Sequence, residues 1–187
     1  MKKRPCRFRS AAWRGGAWSL AVFVILFAAA PWLQAQTEDG IKAAFVYNFA
    51  KFTEWPAGAF ADGSAPIIVG FVGAASLADI FEKNVVGKNA NGRDFVIKKL
   101  SDAAGVEKCQ IVYVTSSSQV GAVVAALKSK PVLIVGEGEE ILSTGGSIRL
   151  FKDGTKIAFD LNLTAIAAVG LKVDPKLQKT AHSVKGP

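Results

Sequence analysis

Three side chains in the stretch Asn48–Trp55 are placed to bind rather than to react. Asn48, Lys51 and Trp55 stand three and four residues apart, so on a helix they share one face. From there an indole can stack on a planar group while an amide and an ammonium make polar contacts. On spacing alone, the competing reading puts Trp55 in the core and leaves the other two solvated. Asn162 closes a predicted strand, a place where side chains of α/β folds often meet ligands. His182 is the one histidine of the chain and can change charge near neutral pH. Zinc would need further nitrogen or sulfur ligands, and Cys109 alone does not complete such a set. Cys109 opens an apolar run and has no base near it in sequence, so it reads as a buried, inert thiol. Glu137, Glu139 and Glu140 lie in Gly136-Glu137-Gly138-Glu139-Glu140-Ile141. They lack the alternating ligands of a calcium loop, and their charge opposes a bound phosphate. That segment reads as a solvated surface turn. No nucleophile–base pair and no phosphate loop stands out, so binding rather than catalysis is expected, with no cofactor and no metal.

The elements that must carry these residues follow from periodicity. Ile41, Phe45, Phe49, Phe52 and Trp55 recur at helical spacing, which predicts a helix over 38–55, started by Thr37 or Asp39 and stopped by Pro56. Ile67–Val72, Phe95–Leu100, Ile111–Val114 and Val132–Val135 read as short strands. Leu77–Val86 and Gln119–Leu127 read as the helices between them, the second capped from Ser116-Ser117-Ser118. Glu139–Leu142 reads as one helical turn. Ser147–Phe151 and Lys156–Leu161 flank Lys152-Asp153-Gly154-Thr155, a hairpin turn. Leu163–Val169 and Pro175–Val184 read as helices. Apolar strands alternating with helices predict an α/β fold: one sandwich with a mixed, mainly parallel sheet of about five or six strands flanked by helices.

The amino-terminal residues have a different character. Six of the 23 basic residues and none of the 15 acids lie in 1–35, all six ahead of the apolar run Ala17–Ala30. Small Ala35 follows at a cleavage position. This order predicts a signal peptide over 1–35 and an exported domain over 36–187. Past the leader the net charge falls to +2, so the basic balance of the whole chain carries no argument for nucleic acid. Cys6 goes with the leader, and Cys109 cannot form an intramolecular disulfide.

Ile41-Lys42-Ala43-Ala44-Phe45-Val46-Tyr47-Asn48-Phe49-Ala50-Lys51-Phe52-Thr53-Glu54-Trp55-Pro56 resembles the opening helix of the YfiR/HmsC-like family. Cys109–Val114, Val132–Gly136, Gly145–Ile148, Ile157–Asn162 and Gly170–Val173 are similar to later family segments in the same order, as are Leu177 and Ala181. The resemblance spans the chain past the leader. It implies a periplasmic α/β protein, often a homodimer. It also implies a non-enzymatic repressor that binds the periplasmic region of a membrane diguanylate cyclase, lowering cyclic di-GMP and biofilm formation. The alternative is a periplasmic sensor or carrier of a small-molecule ligand. Better-known members carry more cysteines and a stabilising disulfide, which a chain with Cys109 alone does not share.

The leader generates a direct expectation. Amino-terminal sequencing of protein recovered from the periplasm begins close to Gln36; recovery only as a full-length, membrane-embedded chain contradicts it.

Overall fold

The computed structural model describes residues 37–186; the leader lies outside the described residues. The chain from there opens with helix α1 (Glu38–Lys51), whose start is fixed by Thr37. The Thr37 hydroxyl accepts from Gly40 N at 3.2 Å, and Glu38 and Asp39 sit in the first turn, where the helix dipole favours acids. Strand β1 (Thr53–Glu54) follows, then β2 (Ile67–Val72), helix α2 (Ala75–Val85) and β3 (Phe95–Leu100). A 3-10 turn (Val106–Lys108) leads to β4 (Ile111–Val114), helix α3 (Ser117–Ala126), β5 (Leu133–Gly136) and the short α4 (Ile141–Thr144). The chain ends with β6 (Ile148–Asp153), β7 (Lys156–Asn162), α5 (Leu163–Ala168), β8 (Lys172–Val173), α6 (Pro175–Thr180) and β9 (Ser183–Lys185).

Seven strands form one sheet in the order β3-β2-β4-β5-β6-β7-β9. Every neighbouring pair is parallel except the β6–β7 hairpin, whose turn places Gly154 at φ 59°. Strands buried on both faces read as continuous apolar runs, and β4 and β5 are buried throughout. Their side chains still alternate. Ile111, Tyr113, Leu133 and Val135 pack with α1 and α2, whereas Val112, Val114 and Ile134 pack with α3 on the opposite face. The result is helix, sheet and helix in three layers.

Three sequence expectations are corrected. The first helix stops at Lys51 rather than 55, because Thr53 and Glu54 pair with Val173 and Lys172 in a separate two-stranded ribbon. Asp174 N also donates to Phe52 O at 2.9 Å, so the backbone just past α1 is held by a distant segment rather than by helix bonds. The last helix stops at Thr180 rather than Val184, and Ser183–Lys185 becomes β9 along β7, which brings the sheet to seven strands. Ser116 precedes α3, yet its side chain makes no capping hydrogen bond.

A fourth correction concerns the acidic turn after β5. Glu137 is only partly solvated. Its Oε1 accepts from the buried Tyr113 hydroxyl at 2.6 Å and its Oε2 from Lys42 Nζ at 2.8 Å. Lys42 is itself buried and also meets Glu38 Oε1 at 2.8 Å. A buried ammonium survives only when paired. Burial alone would lower the Lys42 pKa, but its hydrogen bonds to Glu137 and Glu38 outweigh that and raise it. This network ties the start of α1 to the carboxyl ends of β4 and β5. It aims the end of α1 at the opposite rim of the sheet.

On the other face Gly70 makes room for Cys109. A Cβ at Gly70 would lie 2.8 Å from Cys109 Sγ and 3.2 Å from Leu100 Cδ1. We expect Gly70→Ala to lower unfolding free energy by about 1–3 kcal/mol, the usual range for overpacking. In a Cys109→Ala background the same substitution should cost less than half as much in urea melts. An equal cost in both backgrounds would show that the thiol is not the obstructing group.

Candidate functional site

At the amino ends of β2 and β3, α1 gives way to the β1–β8 ribbon, and a cavity of about 720 Å³ opens between them. Ligand sites of small molecules commonly span roughly 300–1,000 Å³. Lys51, Thr53, Trp55, Phe60 and Arg93 are among its lining residues. Trp55 meets Phe60 edge to face at 5.9 Å between ring centroids, and the Arg93 guanidinium lies 3.8 Å from the Phe60 centroid. Arg93 also donates to the carbonyls of Asp62 and Ala65, which holds the loop before β2. Its own position is set by the turn Ala90-Asn91-Gly92-Arg93, in which Asn91 and Gly92 both take positive φ, 54° and 77°. The Asn91 side chain closes the arrangement by donating to Thr53 O at 3.3 Å.

The polar atoms here divide into two groups. Asp62 accepts from Ser64 N and Ser64 Oγ, and those bonds hold its carboxyl below the usual range. Asp174 caps α6 by accepting from Lys176 N at 2.7 Å. Both are committed to backbone geometry. In contrast, Thr53 Oγ1 and Trp55 Nε1 are buried with no hydrogen-bond partner, and Thr53 is 0% exposed. A buried polar group left unpaired costs about 1–3 kcal/mol, so these two groups bear on the stability of this corner of the fold. Lys51 is exposed in the last turn of α1, where the helix dipole favours a cation. Among the described residues it joins no ion pair. This arrangement can hold an apolar or planar group on Trp55 and Phe60 and offer charge at Lys51.

Of the five side chains singled out from sequence, Lys51 and Trp55 line this cavity. Asn48 is exposed one turn earlier and lies outside the lining. Asn162 is elsewhere, 5% exposed and used at both ends of its amide. Its Oδ1 caps α5 by accepting from Ala165 N, and its Nδ2 donates to Leu142 O, each at 3.1 Å. His182 sits just before β9, with Nδ1 3.1 Å from Asp160 Oδ1 and its ring edge-on to Phe151 at 5.2 Å. Arg149 reaches Asp160 at 3.5 Å and Glu139 at 3.2 Å, so Asp160 links an arginine to the histidine. Thr53 and Arg93 were not singled out from sequence. The Asn91-Gly92 pair ahead of Arg93 was the local signal of a tight turn there.

Cys109 is buried, and burial pushes its thiol up to about 11. Such a thiol is protonated and unreactive at neutral pH. The described residues contain no group of three or more His, Cys, Asp or Glu able to hold a metal ion. None of their helices is long and apolar enough to cross a membrane.

Fold and site together define an α/β sandwich with a cavity at the end of the first helix. The chain belongs to the YfiR/HmsC-like family, whose pattern it matches over residues 39–182. That family is one of periplasmic, regulatory rather than catalytic proteins that act on diguanylate cyclases. Among solved structures the chain is similar to a conserved domain protein from Vibrio cholerae O1 biovar El Tor, at 13% identity and a TM-score of 0.56. The match covers 79% of this chain and 60% of that one, so this chain spans about three fifths of its length. A likeness at 12% identity and TM-score 0.45 links it to an ABC domain from Streptococcus pneumoniae in complex with L-Trp, over 64% of this chain and 55% of that one. No curated protein matches it.

The buried Thr53 hydroxyl supplies a test of this packing. Thr53→Val keeps the shape and removes the buried polar atom, so thermal melting should be unchanged or rise, by up to about 1 kcal/mol. A loss of more than that would mean the hydroxyl has a partner in solution.

Proposed function

We propose that the chain is exported through its leader, resides in the periplasm and represses a membrane diguanylate cyclase by binding the cyclase's periplasmic sensor region. Lower cyclic di-GMP and reduced biofilm formation follow from that repression. Family membership supports the regulatory theme. The observation that carries the surface assignment is the grouping of Lys51 and Trp55 at one cavity, with Asn48 exposed one turn away on the same helix. Repression requires tighter binding to the off conformation than to the on conformation. A tenfold bias corresponds to about 1.4 kcal/mol, within reach of a few polar contacts and one aromatic anchor. The reading includes a homodimer and takes the exposed His182 as a secondary contact candidate, with Asn162 acting behind it as the cap of α5.

A second reading has its own observation. The cavity of about 720 Å³, lined by Trp55, Phe60 and Arg93 among others, also suits a periplasmic sensor of a small molecule.

One pair of variants separates the two. Lys51→Ala and Asn48→Ala should both melt normally, since both side chains face solvent. If the surface engages the cyclase, both should raise cellular cyclic di-GMP and fail to retain the cyclase in membrane pull-downs. If the cavity serves a small molecule, Lys51→Ala alone should alter the response. Full repression by both well-folded variants would return α1 to a structural role.

A further inference from the structure

A second concavity lies on the opposite face of the sheet, between α3 and α5. Its volume is about 470 Å³. The walls are Val124, Leu127, Val132, Ile134, Ala165 and Val169, and four of these belong to or pack on the second apolar cluster beneath α3. The space exists because Gly121 brings no side chain to the exposed side of α3; a Cβ there would meet nothing within 4 Å.

The polar atoms of this groove are few and mostly occupied. Ser147 Oγ accepts from Ile134 N at 3.2 Å, and Thr144 Oγ1 donates to Glu140 O at 2.8 Å. The wall therefore has little to offer a sugar or a peptide backbone, whose own polar groups would be left unpaired. Helix α3 carries no charged residue along its whole length. The one ionisable side chain in the lining is Lys128, which is exposed and makes no ion pair among the described residues. An ammonium at the mouth of an uncharged, apolar groove is complementary to one kind of molecule: an apolar chain ending in a single anion.

We propose that the groove between α3 and α5 binds a free, single-chain aliphatic carboxylate, its chain against Val124, Leu127 and Ile134 and its carboxylate at Lys128. This site is separate from the cavity at α1, on the other side of the sheet, and does not depend on the cyclase reading. Binding there bears on β5 and α5 rather than on α1.

Sodium decanoate, below its micelle concentration, is the probe. It should bind the wild-type protein by titration calorimetry and raise its melting temperature, and decyltrimethylammonium should bind at least tenfold more weakly. Lys128→Glu should cancel or reverse that preference. Gly121→Leu and Ala125→Leu fill the groove from exposed helical positions with a good helix former, so both should melt at or above the wild-type temperature and lose decanoate binding. Equal affinity of the wild type for the two probes, no decanoate binding, or undiminished binding in both filled variants overturns the proposal. So does flotation with phosphatidylglycerol vesicles, lost in the filled variants, without binding of free decanoate; that result would make the groove a membrane contact.

Discussion

The placement of the first helix and of the cavity at its end depends on how one buried ammonium is neutralised. Lys42 enters the interior on α1 and meets Glu137, which also receives the Tyr113 hydroxyl. The three groups come from the first helix, a central strand and the turn after the next strand. None can move alone without leaving a charge or a hydroxyl unpaired in a low-dielectric interior, where the loss is large. The start of α1 is therefore pinned across the carboxyl ends of the central strands. Because the helix is rigid, its far end is delivered to the amino ends of β2 and β3. There the β1–β8 ribbon takes over the backbone, and Trp55 and Lys51 come to line one cavity.

That placement departs from the general rule for open parallel sheets, which puts ligands at the carboxyl ends of the strands. Here the carboxyl rim near β4 and β5 is occupied by the Lys42–Glu137–Tyr113 network. The protein has spent one rim of its sheet on holding a helix, and its cavity lies at the other. Family membership gives the regulatory setting, while the local arrangement explains why the end of the first helix lies beside a cavity.

Much of this was legible in the sequence because the central strands are unbroken apolar runs rich in β-branched residues. Ile111–Val114 and the Leu133–Val135 stretch have no other sensible reading when helices separate them. The Asn162 position was legible as a strand end, but its use as a helix cap was not, since Ala165 N and Leu142 O become neighbours only in three dimensions. The end of α1 was misplaced for a similar reason. Phe52 and Trp55 continue the helical spacing, and only pairing with Val173 and Lys172, more than a hundred residues later, withdraws Thr53 and Glu54 from the helix. Glu137 gave no local hint, because a glutamate between two glycines with two more glutamates after it looks solvated wherever it occurs. Ser183–Lys185 is too short and too polar to announce a strand; the backbone of β7 makes it one.

The two ends of the sheet order differ in a way that concerns crowding rather than recognition. At one end β3 places Lys98 and Lys99 along an outer strand, with Lys99 bound to Asp79. At the other, β9 offers only three residues before the chain turns at Gly186, whose φ is 80°. A charged rim at one side and a stub at the other are poor templates for another chain's strand. Both borders of the sheet are thus unfavourable to the addition of another chain's strand.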